Sequence, residues 1–384
     1  MALSFESGSA RSAMNPDILT EGRRQNSTRR LAASAFAVAI APFVLTSCGS
    51  SEPERRIEAP QKNSRPSFAE RHQAAREAAR AWLDQLEVDP VALTIQGARG
   101  KKKLGEALTA YLHLLRHAAD PVERTLISNR VGELAQHTER PEYHNMLNCH
   151  MREFNRSNMS YLRVAWVLEQ LGWDTTHYRS QLEAIRPRLD SSLAHRSRAS
   201  RQQFKRYYDY FGWTFPAAAQ VSKPGLGVIG RRVPLIRHRP ASSYALAHEV
   251  SAAFRFGDGT EFDREDLAYL RRVLPPLIIR FGSRRHANSD LLAELLSAMV
   301  YLDLHNMPAY HTGIQFLIRS QNPDGTWGAY GEEQASQVGD TDTELYLHTT
   351  MVVLRAVLQA EDLARAKPSS EGAGRRSNRL RPIT

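Results

Sequence analysis

The stretch "TGIQFLIRSQNPDGTWGAY", residues 312–330, decides the fold of this chain of 384 residues. An apolar run ends at Gln321, a Pro-Asp-Gly turn follows in which Gly325 is free to take a positive φ, and Trp327 comes two residues later. A glutamine at a helix C-terminus can hydrogen-bond backbone groups that lack partners, and a nearby indole can shield them from water. None of these three residues is an acid, a base or a nucleophile, so we predict that the stretch closes a helical hairpin.

The rest of the chain is helical in pattern from Phe68 onward, because apolar residues recur at helical spacing almost throughout. With 42% apolar and 24% charged residues, the chain has enough apolar material for a large core. We find no convincing strand pattern, and the predicted helices span residues 68–86, 104–118, 121–136, 159–171, 177–189, 201–211, 244–254, 263–280, 290–304, 310–320 and 343–359. The sequence therefore predicts an all-α fold of helical hairpins, arranged as a solenoid or a toroid.

The opening stretch resembles a motif of a known fold family. Its spacing is similar to the QW motif of terpenoid cyclases of the squalene cyclase type, and to the hairpin turns of protein prenyltransferase β subunits, through Gly313, Phe316, Leu317, Gln321, Gly325 and Trp327. Those families share an α/α toroid, in which helical hairpins form two concentric rings. The resemblance covers residues 310–358 and implies a terpenoid-cyclase-like α/α toroid.

The first 48 residues are typical of an export signal rather than of a fold. Arg23, Arg24, Arg29 and Arg30 lie just before an uncharged apolar run at residues 31–45, and small residues then lead to Cys48. The run is shorter than the roughly 20 residues that a membrane-spanning helix needs. Residues 45–48, Leu-Thr-Ser-Cys, resemble the bacterial lipobox, which implies that Cys48 carries a diacylglycerol and anchors an exported protein, at the outer membrane if the source is Gram-negative.

The body beyond the signal divides by composition. A segment rich in Ser, Pro, Glu and Arg predicts a flexible tether, and a basic tail with Ser and Gly predicts disorder. The predicted divisions are a signal peptide at 1–48, a tether at 49–67, helical hairpins at 68–212, an irregular loop at 213–243, toroid helices at 244–365 and the tail at 366–384.

A possible catalytic acid lies just after the opening stretch. Residues 340–343, Asp-Thr-Asp-Thr, resemble the D-x-D-D motif of class II cyclases, which implies that Asp342 is an acid that protonates the substrate. Thr343 replaces the last aspartate of that motif. The alternative is that Asp342 or Thr341 caps the helix that follows and interacts with its dipole.

A metal site is the second candidate. His348 resembles the zinc-binding histidine in the "YHT" stretch of prenyltransferase β subunits, and Asp290 stands where that family has an aspartate ligand. Leu292 occupies the place of the family's thiolate ligand, so we do not expect a farnesyltransferase-like zinc site. His248 lies in a third apolar helix, and with Asp290 and His348 it would form a divalent metal site if the three helices are neighbours in one ring.

The same helices carry two more acidic side chains, Glu249 and Glu294. With Asp342 they are our candidates for general acid–base catalysis beside the two histidines. Each residue also has a simpler interpretation, since a glutamate can cap or pair with arginine and a buried histidine can bond a backbone carbonyl.

Three classes of function remain open from the sequence. The first is an enzyme acting on an isoprenoid, a lipid or an envelope glycan in the ring lumen, and the second is a lipoprotein that binds such a ligand without turnover. The third is a scaffold for partners at the envelope. Nucleic acid is not an expected partner, because the basic run at residues 101–103 has no interleaved aromatic residues.

Overall fold

The computed structural model describes residues 66–88, 98–220, 227–254, 262–331 and 341–365, together with residues 334 and 336. The predicted signal peptide, most of the predicted tether and the basic tail lie outside these residues. Among the described residues, no helix combines the length and the apolar character that crossing a membrane requires.

The described residues form eleven α-helices and no strand, so the predicted all-α class is confirmed. Several helices begin earlier than their apolar spacing indicates, because their first turns are polar. The helices are α1 Phe68–Asp84, α2 Ala98–His117, α3 Pro121–Ala135, α4 Met151–Gln170, α5 Thr176–Leu193, α6 Arg198–Phe211, α7 Pro240–Ala253, α8 Arg264–Phe281, α9 Ser289–Tyr301, α10 Pro308–Arg319 and α11 His348–Arg365.

Six of these helices close a ring. α2 packs against α4 and α11, α11 against α9, α9 against α7, α7 against α6, and α6 against α4. The other five helices pack outside this ring: α1 against α11, α3 against α2, α5 against α4, and α8 and α10 against α9. Inner and outer helices thus alternate along the chain, which is the arrangement of an α/α toroid, and the predicted fold is confirmed.

The alternation is interrupted between α6 and α7, which are both inner helices. The described part of this connection contains two short 3-10 turns, Ala217–Ala219 and Leu235–Arg237, and no α-helix. The ring draws helices from both of the predicted segments, 68–212 and 244–365.

Inner helix α9 is apolar on nearly every side, as its sequence predicts. A helix in this position contacts neighbours within the ring and outer helices behind it, so few of its faces reach solvent. The buried residues of α9 are Leu291, Leu292, Ala293, Leu295, Leu296, Ser297, Ala298 and Met299.

Gln321 connects the end of α10 to the outer helix α1. Its Nε2 donates hydrogen bonds to the carbonyl oxygens of Ala75 and Gly325, both at 2.9 Å. One side chain therefore supports the turn that follows α10 and attaches it to a helix 246 residues earlier in the chain.

Trp327 connects the same turn to the inner helix α11. The side chain is fully buried, with 0% exposure, and its Nε1 donates to the carbonyl oxygen of Leu317 at 2.7 Å. Its backbone N–H donates to Thr350 Oγ1 at 3.2 Å. The indole therefore satisfies a carbonyl at the end of α10 while its ring fills the space between inner and outer helices.

Gly325 is required by both conformation and space. Its φ is +94°, a region that residues with a side chain rarely adopt, and a Cβ atom there would overlap the carbonyl oxygen of Ala78 in α1. The backbone of the turn therefore lies directly against α1.

We predict that Gly325→Ala lowers the free energy of unfolding by about 1–3 kcal/mol or more, because the cost of a positive φ and the cost of the overlap with α1 add together. Urea denaturation followed by circular dichroism measures the loss. Gly331→Ala is the matched control, since a Cβ at Gly331 meets open space apart from Gln334 Oε1 at 4.0 Å. Equal midpoints for the two variants would contradict the role of the turn.

Candidate metal centre

The inner helices bring together five ionisable side chains, which we name the histidine–carboxylate cluster: Glu106 from α2, His248 from α7, Asp290 and Glu294 from α9, and His348 from α11. His248 Nε2 lies 3.1 Å from Glu294 Oε1, and His348 Nδ1 lies 3.0 Å from Glu106 Oε1. His348 Nε2 lies 3.7 Å from Asp290 Oδ1. Four of the five were predicted as site residues from the sequence.

The start of α9 places its two carboxylates on the cluster. Asn288 caps the helix by accepting a hydrogen bond from the backbone N–H of Leu291 at 3.0 Å. Asp290 thus falls in the first turn, where the helix dipole stabilises negative charge. Glu294 follows four residues later, on the same face of the helix.

His348 follows an unusual turn. Residues Asp342–Leu347 form a π-helix that leads directly into α11. Such wide turns are rare and occur frequently at functional sites. The sequence predicts an ordinary helix here, and the structure instead has a π-helical turn immediately before His348.

Glu106 fixes the orientation of His348. The Glu106 side chain is only 4% exposed, and its Oε1 also lies 3.7 Å from Arg163 Nη1 of α4. By accepting a hydrogen bond from Nδ1 of His348, it leaves Nε2 of the same ring directed at Asp290. A metal-binding histidine usually has this kind of carboxylate partner on its second nitrogen.

Sequence reasoning missed Glu106. It lies within a predicted helix but is 242 residues away from His348, and nothing in its local pattern distinguishes it from a surface glutamate. Only the packing of α2 against α11 brings the two together.

Tyr244 holds Asp290. Its hydroxyl donates a hydrogen bond to Asp290 Oδ2 at 2.8 Å, and this leaves the other carboxylate oxygen, Oδ1, toward His348. Tyr244 belongs to α7, so three inner helices determine the position of this one carboxylate.

Within the described part of the chain, three carboxylate oxygens of the cluster are buried without a hydrogen-bond donor: Glu106 Oε2, Asp290 Oδ1 and Glu294 Oε2. Glu294 Oε2 lies 3.1 Å from His248 Nε2, an ion-pair distance without the geometry of a hydrogen bond. One ligand atom from each of Asp290, Glu294 and His348 lies within 4.8 Å of the other two. Because buried anionic oxygens need a positive partner, this arrangement suits a divalent cation bound at about 2 Å from each ligand.

The pKa values of the cluster show the same demand for positive charge. The hydrogen bond to Glu294 raises the pKa of His248 against the effect of burial. Burial lowers the pKa of His348, but the hydrogen bond and charge of Glu106 and the charge of Asp290 outweigh it, so that the pKa is raised. Burial raises the pKa of Asp290, and the charge of Glu294 adds to this. A raised pKa means that each of these groups holds a proton more readily. A bound divalent cation would supply the positive charge to the carboxylates in place of those protons.

Both imidazoles are accessible while the carboxylates lie behind them. The side chains of His248 and His348 are 41% and 39% exposed, against 17% for Asp290 and 15% for Glu294. A molecule that enters from solvent therefore meets the imidazoles first, with their charged partners in place behind them.

Two predicted acid–base residues lie elsewhere. Glu249 accepts hydrogen bonds from the backbone N–H groups of Val228 and Ile229, at 2.7 and 3.0 Å, and so holds the segment before α7. Asp342 is exposed in the π-helical turn, and the structure gives it no contact with the cluster among the described residues. Thr341 precedes this turn, and its side chain makes no capping hydrogen bond to the described residues that follow it. Asp340 lies outside the described residues.

Asp290→Asn is expected to stabilise the metal-free protein at pH 7 by about 0.5–1 kcal/mol, because it removes a buried carboxylate whose ionisation is disfavoured. Because the pKa of Asp290 is raised in the folded state, its ionised carboxylate destabilises the fold at high pH. This cost disappears as the pH falls below the usual pKa of an aspartate. The gain should therefore shrink at about pH 4, near the unfolded pKa of an aspartate. Urea denaturation in EDTA measures both values.

Asp209→Asn is the control for this prediction, because Asp209 is an exposed carboxylate paired with Lys205 at 2.6 Å. Its replacement should give no gain at either pH. A loss of stability in Asp290→Asn at pH 7 would show that the carboxylate is already satisfied in the metal-free protein.

The fold and the cluster together define an α/α-toroid protein with a histidine–carboxylate site on its inner ring. The chain belongs to the family described as a domain of unknown function (DUF6895), whose model matches residues 72–358. This range includes all five residues of the cluster. No curated protein matches the chain significantly.

Among solved structures, the chain is similar to a type II terpene cyclase from Scytonema in its apo form. The sequences are 13% identical, the TM-score is 0.40, and the alignment covers 76% of this chain and 99% of the other.

Proposed function

We propose that this protein is an exported, lipid-anchored enzyme that uses a divalent metal ion bound by Asp290, Glu294 and His348. The observation that carries the proposal is a pair of buried oxygens, Asp290 Oδ1 and Glu294 Oε2, to which no described residue donates a hydrogen bond. They lie near Nε2 of His348, whose Nδ1 is held by a third carboxylate, that of Glu106. Natural proteins rarely leave buried anionic oxygens unsatisfied, and a bound cation would satisfy both.

Each residue of the cluster has a distinct role in this proposal. Asp290, Glu294 and His348 bind the ion, and Glu106 positions His348. A bound ion of the zinc type would polarise a substrate oxygen or lower the pKa of a water molecule. His248 is half-exposed and paired with Glu294, so it is placed to donate or accept a proton at the substrate, or to serve as a further ligand.

The convergence of titratable groups favours an enzyme over the other two classes. A protein that binds lipid or glycan without turnover would need an apolar or aromatic wall, and a scaffold would need a filled ring. Neither would require five ionisable side chains from four inner helices within hydrogen-bond or ion-pair distance of one another. The proposed substrate is an isoprenoid, a lipid or an envelope glycan, because these are the compounds that an anchored envelope enzyme meets.

Metal analysis tests the proposal directly. The purified chain is stripped with EDTA, titrated with Zn²⁺, Mn²⁺ or Co²⁺ by calorimetry, and analysed for bound metal by mass spectrometry. One ion per chain is expected, and His348→Ala should abolish binding. Glu106→Gln should weaken it about 10- to 100-fold, since that residue acts through His348.

The control variant for metal binding is His305→Ala, since His305 pairs with Asp303 at 3.3 Å outside the cluster. It should bind the ion like the unchanged chain. If the unchanged chain binds no ion, the metal centre is wrong, and the cluster would act by proton transfer alone.

We propose further that Cys48 is the site of the lipid anchor, on the basis of the lipobox resemblance at residues 45–48. Cells that express the chain and receive labelled palmitate should yield labelled protein in the membrane fraction. Cys48→Ala should lose the label, whereas Cys149→Ala, which changes the other cysteine of the chain, should keep it. Label in Cys48→Ala would refute the anchor.

A further inference from the structure

Arg355 lines the inner ring with an unsatisfied charge. It lies on α11, seven residues after His348 and therefore on the same face of the helix. The structure gives its guanidinium no hydrogen bond or ion pair among the described residues, and the aromatic ring that it contacts is Tyr301, whose centroid lies 5.5 Å away. An arginine inside a protein is rarely left without an anionic partner.

Arg355 is largely enclosed by protein but remains accessible. Burial lowers the pKa of its guanidinium to about 10, and yet the residue keeps part of its accessible surface. A small ligand can therefore reach the side chain. The charge of Glu294 acts on it through space, from beyond ion-pair distance.

A neutral histidine lies beside this arginine. His113 belongs to α2, and its pKa is lowered well below the usual range, first by burial and then by the charges of Arg355 and Arg116. A neutral imidazole can donate one hydrogen bond and adds no competing charge. Arg116 is engaged elsewhere, since its guanidinium donates to Gln170 at 2.9 Å. Of the two arginines, Arg355 is thus the one whose guanidinium has no hydrogen bond or ion pair among the described residues.

Tyr301 supplies a third unsatisfied group. Its hydroxyl is buried without a hydrogen-bond partner among the residues that the structure describes, and its ring stacks on Phe254 at 5.4 Å between centroids. The ring also lies next to the Arg355 guanidinium. The guanidinium and the phenol are thus in contact, and the His113 imidazole lies close enough to Arg355 for that charge to lower its pKa.

The spacing along two helices separates these donors from the metal centre. Glu106 and His348 are hydrogen-bonded between α2 and α11, and seven residues further along each helix lie His113 and Arg355. Seven residues of α-helix rise about 10 Å. The donors therefore occupy a second level of the ring, about two helical turns from the cluster.

We propose that Arg355, His113 and Tyr301 form an oxyanion-binding subsite. The substrate then carries a phosphate or a carboxylate about 10 Å from its reacting bond, which is the rise of seven helical residues between the subsite and the cluster. A guanidinium binds such groups through two parallel hydrogen bonds, one to each of two oxygens on the same phosphorus or carbon atom. The inference rests on the proposed function, because it assigns a substrate class to that same ring, but the subsite binds its anion without the metal.

The test measures binding of inorganic phosphate and of acetate to the EDTA-treated full-length chain by calorimetry. Binding of one of the two, weakened at least about tenfold in Arg355→Gln, is the expected result. Phosphate and acetate distinguish a phosphorylated substrate from a carboxylated one. Arg319→Gln, which changes an exposed arginine at the end of outer helix α10, should bind like the unchanged chain.

Further variants separate this inference from the metal centre and from folding. Tyr301→Phe keeps the ring and removes the hydroxyl, so it should weaken binding in a protein that stays folded. His348→Ala should lose metal but keep anion binding. Anion binding that requires metal and disappears in His348→Ala would overturn the subsite, as would no binding of either anion to the unchanged chain at millimolar concentration.

Discussion

The packing of α2 against α11 closes the ring, because these are the first and the last inner helices in the chain. At this contact the buried Glu106 accepts a hydrogen bond from His348 across 242 residues of sequence. The remaining inner helices complete the circle between them. The position of every side chain in the cluster therefore depends on this closure, and the outer helices stabilise it from behind.

Closure of the ring has an electrostatic cost. Three carboxylates and two imidazoles are brought within contact of one another, and three carboxylate oxygens receive no hydrogen bond from the described part of the chain. Such a group destabilises the fold unless protons or a cation compensate it. Functional sites commonly keep arrangements of this kind at the expense of stability.

Much of the fold could be predicted from the sequence. Apolar residues at helical spacing predicted the helices, and the turn before Trp327 predicted a tight connection, because burial and backbone conformation act over a few residues. His248, Asp290, Glu294 and His348 were predicted as site residues because they are polar residues within very apolar helices. Glu106 could not be predicted, since its helix has a polar face and its partner is distant in sequence.

The sequence by itself determined that the chain is all-α, that helix α9 is apolar on nearly every side, and that the segment at residues 312–330 makes a tight turn. These are local properties of spacing and backbone freedom. The tertiary structure alone decided that Glu106 holds His348, and that three carboxylate oxygens of the cluster and the Arg355 guanidinium find no hydrogen-bond partner among the described residues. Those facts depend on distances between helices, which only the closed ring determines.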